Sequence, residues 1–430
     1  VIAGPPTLSV IVVSRQRPEH LRLCVESLAR QTHGALELVV VTDPAGEPSV
    51  EHLRGRIKLA RFDVANISEA RNTGLALAAG EVVAFIDDDA VAEPLWAERL
   101  AAPFADPRVS CATGPVLGRN GISPQWTPVR VGRDGMDLPL KDGLLFGPGS
   151  DGSAVKTVGT NCAFRRADLV AIGGFDPAFR YYLDETDVNH RLARLGAYTA
   201  IAKDAVVHHA VAANATRKPS RAPTDLGPVG ASVAAFLARH CEPKEREGAL
   251  AAHRALQESR LKAHVAARRL RRRDVAALLE TFDRGAAEPA ESPAPTLRAS
   301  RMNAPPPFSP LPPTPQSHTV LAGRTWQIRA LMAKAKEAAK AGGTVSLYVF
   351  SPTGRPHSVR FVLPGIWLQR GGLFGRSDRD TPRFRLVSFP ERLSAEVART
   401  EAVRGAPTSA GDAALRRISL KSQDTVGTRA

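Results

Sequence analysis

Three apolar, β-branched runs punctuate the first ninety residues, with helical patterns between them. LSVIVVS (8–14), ELVVVTD (37–43) and EVVAFIDDD (81–89) read as buried strands. PEHLRLCVESLARQT (18–32) places Leu21, Cys24, Val25 and Leu28 on one helical face, and Pro18 suits a first turn. SEARNTGLALAAG (68–80) repeats the helical pattern, with Ser68 as N-cap and Gly80 as stop. RIKLARFDV (56–64) reads as an edge strand. This order requires an α/β fold, a mostly parallel sheet flanked by helices.

Farther along, residues 100–160 are rich in Gly and Pro, with short strands such as VSCATGPV. VKTVGTNCAFRR (155–166) is strand-like, GGFD (173–176) is a turn, and a helix covers 185–196. Residues 230–283 read as largely helical and carry a basic run, Arg268 to Arg273, within a helical stretch. A Pro-rich linker (284–318) follows, then a small α/β region with helix RTWQIRALMAKAKEAAKAGG and strands TVSLYVFS and HSVRFVLPGIWLQ. The expected organisation is a catalytic domain (1–215), a helical extension (216–283), the linker, an accessory region (319–404) and a polar tail (405–430).

Charge is divided unevenly. The 430-residue chain carries +15 overall, but residues 1–210 carry −3 and the remainder +18. A basic half suits an anionic membrane, an anionic polymer or a solvated surface. No helix-turn-helix, zinc or RNP-type motif accompanies it, so no nucleic-acid partner is expected. The basic 268–273 run is either a membrane-surface face or an exposed helix side. The four cysteines (24, 111, 162, 241) form no C-x-x-C pair, and a reducing cytoplasm is the default. No apolar run is long enough to span a bilayer, and VIAGPP lacks the features of a signal peptide.

The strongest chemical signal is Asp87-Asp88-Asp89 at the carboxyl end of an apolar strand, where open α/β sheets bind ligands. At ~4 Å and an effective dielectric of about 20, each pair of charges costs up to roughly 4 kcal/mol. A hard divalent cation removes that cost. Strand alternation lets Asp87 and Asp89 share a site while Asp88 turns elsewhere; the alternative is a solvated acidic turn. A second cluster, Asp184-Glu185-Thr186-Asp187, precedes an amphipathic helix. Asp184 is either a helix cap or, with Glu185, a general base at the lip of the pocket. Asp43 ends the second strand and either meets a nucleobase or caps a turn. Arg71-Asn72 either meets phosphate or is surface, and His208-His209 is either structural or metal-ligating.

Together these segments resemble glycosyltransferase family 2, of GT-A fold. VIVVSRQRPEHLRLCVESLARQT, VVVTDP and ISEARNTGLALAAGEVVAFIDDDA are similar to its nucleotide-sugar half. VGTNCAFRRADLVAIGGFDPAFRYYLDETDVNHRLARLGA is similar to its acceptor half. The resemblance covers about 8–210. It implies that Ser14, Arg17, Asp43, Arg71, Asn72, Asp87 and Asp88 bind the nucleotide-sugar. It implies that Asp89, with His208 as a further contact, holds Mn²⁺ or Mg²⁺. Gly159, Thr160, Asn161 and Asp187 would border the sugar and acceptor. The family's usual Glu-Asp pair stands here as Asp184-Glu185, making Glu185 the implied base and Asp184 its alternative. Residues 325–370 carry a shorter resemblance to the opening βαβ of the GT-B fold.

The implied reaction is an inverting transfer from a nucleotide-sugar to a hydroxyl on a glycan or lipid-linked acceptor, with peripheral contact to an anionic membrane. Two rivals stand beside it. A sugar-nucleotide pyrophosphorylase would show a G-x-G-T-R-like loop where this chain has SRQRPEH. A non-catalytic carbohydrate- or polyanion-binding protein would keep its activity without Asp89 or Glu185.

Overall fold

The computed structural model describes residues 5–288, 304–312, 314–315 and 317–410. Residues 289–303 of the expected linker and the expected polar tail from 411 onward lie outside the described residues. The N-terminal half opens with β1 (Leu8–Ser14), α1 (Pro18–Leu28), β2 (Leu36–Thr42), β3 (Lys58–Arg61), α2 (Ile67–Leu77) and β4 (Val82–Asp87). β5 (Ala90–Ala92), α3 (Trp96–Ala101) and β6 (Val109–Thr113) follow. Six short strands cross the Gly/Pro-rich region: β7 (Val116–Leu117), β8 (Pro124–Trp126), β9 (Arg130–Val131), β10 (Asp137–Leu138), β11 (Leu145–Phe146) and β12 (Ala154–Val155). The half closes with β13 (Cys162–Arg165), α4 (Arg166–Ala171), α5 (Asp184–Ala193), β14 (Tyr198–Ile201) and β15 (Val207–His209).

The main sheet has eight strands in the order β11-β14-β6-β13-β4-β1-β2-β3. β1 is parallel to β2 and β4, and β3 is parallel to β2, while β13 inserts antiparallel between β4 and β6. Apolar residues alternate across β1. Leu8, Val10 and Val12 enter the core on the α1 face, and Ile11 enters the opposite core with Phe85, Phe164 and Phe175. This two-faced burial explains why these strands read as continuous apolar runs. α1 buries the expected Leu21, Cys24, Val25 and Leu28.

Some local expectations differ from the structure. α2 is capped by Asn66, whose side chain accepts from Glu69 N at 3.2 Å, while Ser68 donates its hydroxyl to Phe179 O. The strand expected over 155–166 is broken into the end of β12 at Val155 and β13 at Cys162–Arg165. A second sheet, β5-β15-β7-β8, stands beside the carboxyl end of β4.

The helical extension comprises α6 (Gly227–His240), α7 (Arg246–Ala266) and α8 (Asp274–Ala287). α7 ends at Ala266, and Arg268 takes φ 55°, so the basic run from Arg268 to Arg273 is the turn between two helices and not a helical face. α6 and α8 cross closely on glycine. A Cβ on Gly285 would stand 2.0 Å from Gly227 O, and one on Gly230 2.1 Å from Phe282 O.

The C-terminal module contains β16 (His318–Arg324), α9 (Ile328–Lys340), β17 (Thr344–Ser351), β18 (Ser358–Val362), β19 (Ile366–Gly372), α10 (Phe389–Arg404) and β20 (Ser409–Ala410). Its five-stranded sheet runs β18-β19-β17-β16-β20, and the module opens with the parallel unit β16-α9-β17. The segment leading into it packs against the first half. Leu311 joins the α1-side core, Leu311 N bonds Leu36 O, and Ser309 N bonds the buried Glu37 carboxylate. Among the described residues no helix is long and apolar enough to cross a membrane.

The glycine crossing makes a direct prediction. Gly285→Ala places a methyl where a carbonyl oxygen already sits, so it should cost about 1–3 kcal/mol in urea unfolding. A stability equal to wild type would show that the two helices can separate freely.

Candidate functional site

β4 delivers the acidic trio to the carboxyl edge of the sheet, and alternation divides its members. Asp88 is fully buried, accepts a hydrogen bond from Ser14 Oγ at 2.7 Å and lies 2.5 Å from Arg17 Nη2. Burial pushes its pKa up to about 7 against the pull of Arg17. Asp87 and Asp89 turn to the other side. Asp87 accepts from Thr160 Oγ1 at 2.5 Å, and Asp89 accepts from Ala212 N at 2.6 Å and lies 3.3 Å from Arg17 Nη1.

The imidazole that meets these carboxylates belongs to His209. Its Nε2 is 3.1 Å from Asp89 Oδ1 and 4.0 Å from Asp87 Oδ2, and its Nδ1 is 2.9 Å from the Gln125 amide. His208, the expected metal contact, faces the opposite way with Nε2 2.8 Å from Glu93. Strand alternation on β15 turns the two histidines to opposite faces, so His209 and not the expected His208 meets the carboxylates. Burial opposes a charge on Asp89, but His209 and Arg17 outweigh it and hold its pKa well below the carboxylate range. Burial likewise disfavours charged His209, and Asp89 and Asp87 outweigh it to raise the imidazole pKa.

Asp87, Asp89 and His209 each offer one ligand atom, all within 4.8 Å of one another. Paired carboxylates suit hard divalent ions such as Mg²⁺ or Mn²⁺, and a neutral imidazole can complete such a set. The donor set therefore fits a divalent ion.

The second acidic cluster lies against the first. Arg71 on α2 is buried, ion-pairs with Asp184, donates to Gly159 O at 3.2 Å and reaches within 3.7 Å of Asp87. Its guanidinium also lies over the rings of Phe85 and Phe175. Asp184 and Glu185 open α5, and the buried residue before them, Leu183, holds a left-handed φ of 64°. Burial and the neighbouring Asp184 charge push Glu185 up to about 8. Gln16 (φ 59°) and Val211 (φ 52°) share this uncommon conformation. Gln16 follows β1 and donates its N–H to Asp43, while Val211 sits in the loop wrapped around Asp89. Such conformations concentrate where the chain is over-determined around a site.

Three expected contacts are used internally. Asn72 exchanges both amide hydrogen bonds with the Phe175 backbone. Asn161 is fully buried, accepts from Trp96 Nε1 and donates to Pro115 O and Ala205 O. Asp187, also fully buried, joins Arg191 and His240, tying α5 to α6. These contacts tie all three expected side chains to the fold around them.

A cleft of about 720 Å³ opens beside Ser14 and Arg17. Phe62, Val64, Ile67 and Ala70 form one wall, and α6 and α8 form another with Ala231, Ser232 and Arg284. Ser232 Oγ is buried without a hydrogen-bond partner, and Arg284 makes no ion pair among the described residues. Sequence reasoning did not single out His209 from its neighbour, nor Gln125, Ser232 or Arg284. Only the register of β15 on β5 could have separated the two histidines, and nothing local marks the other three.

Residues 9–171 match the family model described as glycosyl transferase family 2. A glucosyl-dolichyl phosphate glucuronosyltransferase of Haloferax volcanii is 30% identical over 184 residues, 39% of this chain and 56% of that protein. The O-antigen biosynthesis protein RfbC of Myxococcus xanthus is 25% identical over 225 residues, 48% of this chain and 18% of that protein. The chain thus spans little more than half of the first relative and under a fifth of the second. Among solved structures, GalNAc-T7 with UDP, GalNAc and Mn²⁺ superposes with a TM-score of 0.42 at 16% identity, covering 55% of this chain and 48% of that one.

The internal position of Asp187 is testable. Burial opposes its charge, but His240 and Arg191 hold its pKa below the usual range. That stabilisation is present above pH ~4, the ordinary carboxylate value, and is lost as pH falls through the depressed folded value. Asp187→Asn should cost about 3–5 kcal/mol at pH 7, with the gap to wild type narrowing below pH ~4 in urea titrations. A pH-independent gap would contradict the ion-pair account.

Proposed function

We propose that this chain is a metal-dependent, inverting glycosyltransferase that moves a sugar from a nucleotide-sugar to a hydroxyl acceptor. The observation that carries this reading is Arg71, one guanidinium that pairs with Asp184 and approaches Asp87. It brings the acidic end of β4 and the Asp184-Glu185 pair to the border of one site, as transfer between donor and acceptor requires. The family 2 domain supports the same reading.

In the proposed reaction the acceptor hydroxyl attacks the anomeric carbon as the bond from that carbon to the phosphate oxygen breaks. The hydroxyl proton passes to Glu185, and the nucleoside diphosphate departs on the opposite side, inverting the anomeric centre. A divalent ion held by Asp87, Asp89 and His209 would neutralise the departing diphosphate as a Lewis acid. Asp184 is committed to Arg71, whereas Glu185, raised to about 8, has the greater affinity for a proton. Arg17 and Ser14 stand at the mouth of the cleft, which is roomy enough for a nucleotide, and Asp43 stands behind Gln16. Thr160 and Gly159 border the acceptor side through their contacts with Asp87 and Arg71.

The acceptor is proposed to be a glycan or a lipid-linked glycan. The Haloferax relative's name supports the lipid-linked form, and the +18 charge beyond residue 210 suits an anionic membrane surface. Residues 1–215 would be the catalytic domain, and a cytoplasmic location at the inner membrane face would suit these partners.

Two measurements test the reading. In a nucleotide-sugar panel with Mn²⁺, Asp89→Asn and Glu185→Gln should each lower kcat by about 10²–10⁴-fold; turnover equal to wild type in both would sink it. A base must be unprotonated to act, so kcat/KM should rise with pH and level off above about 8. Glu185→Gln should abolish that limb. A profile flat from pH 6 to 9 in wild type would remove Glu185 from the base role.

A further inference from the structure

We infer that the C-terminal module clamps the strand pair that carries the metal-binding residues, with Arg404 and Trp367 as positioning residues for Asp89 and His209. This rests on the metal reading of the Asp87–Asp89–His209 cluster and extends it to a part of the chain that the family 2 domain does not include.

The backbone sets the geometry. β5 follows the acidic trio directly, and β15 ends in the histidine. They pair antiparallel with His209 opposite Ala90 and His208 opposite Val91. The ladder extends at both ends through Ala210 N to Asp89 O at 2.9 Å and Glu93 N to Val206 O at 3.1 Å. Alternation gives this ladder two faces. His209 points to the carboxylates, and His208 points to the module.

On the module's side, His208 Nε2 lies 2.8 Å from Glu93 Oε1. Arg404 takes both Glu93 oxygens, Nε at 2.7 Å and Nη2 at 2.8 Å. Trp367 lies beneath both, its ring 5.0 Å from the His208 ring and 4.7 Å from Arg404 Cζ. All four side chains are buried. Arg404 is anchored in the module by Ser346 Oγ at 3.2 Å. Main-chain bonds lock the same junction, Leu95 N to Val403 O and Val359 N to Asn120 O.

Glu93 is the pivot of this arrangement. A buried carboxylate is costly without a cation, and its cation comes from 311 residues away in sequence. With Arg404 absent, Glu93 would have to move toward water. It lies four residues after Asp89 on a continuous ladder, so the ladder would shift with it. Groups behind first ligands commonly set metal affinity by 10–100-fold.

The test measures Mn²⁺ binding to the full chain by the electron paramagnetic resonance signal of free Mn²⁺. Trp367→Leu removes the ring under His208. The double variant Glu93→Gln/Arg404→Met removes the ion pair without stranding a charge. Each should bind Mn²⁺ at least about 10-fold more weakly than wild type where circular dichroism shows it folded. Leu393→Ala, in the module's own core, should lower Tm without changing Mn²⁺ affinity.

Unchanged Mn²⁺ affinity in the folded clamp variants overturns the inference. So does an equal loss in Leu393→Ala, or failure of both clamp variants to fold, since the role is then structural only. A wild-type chain that binds no Mn²⁺ overturns the clamp and the metal site together. A chain that binds Mn²⁺ in the expected order but transfers no sugar leaves the clamp standing and overturns the transferase reading.

Discussion

Three adjacent carboxylates at the end of a buried strand set the terms for everything around them. Left alone, they would repel one another by several kcal/mol. Arg17 arrives from the turn after β1, Arg71 from α2 and His209 from β15, so three separate elements converge because the charge on β4 requires it. Asp88 takes the buried share of this compensation with Ser14 and Arg17. Asp87 and Asp89 thereby share the other side of the strand end with the His209 imidazole.

The same constraint links the two acidic clusters. Arg71 has one positive charge and two carboxylates within reach, and it is flanked by Phe85, Phe175 and the Gly159 carbonyl. A Cβ on Gly159 would stand 2.7 Å from that guanidinium, so a glycine is needed where the backbone approaches it. Glu185, half-buried beside the paired Asp184, holds a proton more tightly than an ordinary glutamate. The strained residues Gln16, Leu183 and Val211 lie on three different loops, and each adjoins a group that meets this centre.

Much of the fold was legible because its signals are local. The apolar runs of β1, β2 and β4, the face of α1 and the acidic end of β4 all follow from short-range pattern. The split of Asp87 and Asp89 from Asp88 follows from the pleat alone. What stayed hidden depends on pairing across long separations. His208 and His209 are indistinguishable until β15 is set in register with β5. Asp187 and Asn161 are polar residues in a motif that looks reactive, and only their partners, His240 and Trp96, show them to be internal ties. The basic run from Arg268 to Arg273 has helical propensity, but Arg268 turns the chain there to bring α8 back against α6. The cleft wall from α6 and α8 had no local sign, because small residues at a crossing resemble any Ala-rich helix.

The segment around Ser309 and Leu311 threads along the first half before the C-terminal module begins. Leu311 completes a core whose other members all come from residues 8–207. The N-terminal half is therefore not a self-sufficient globule bounded at residue 288. A fragment cut there would open a gap beside Leu36, bare the apolar seat of Trp367, Val359 and Phe361 at Leu23, Ile122 and Val91, and strand the Glu93 carboxylate. Contiguous apolar surface with an orphaned charge invites self-association, so the sequence boundary of the family 2 match and the boundary of the smallest well-behaved piece of this protein are different places.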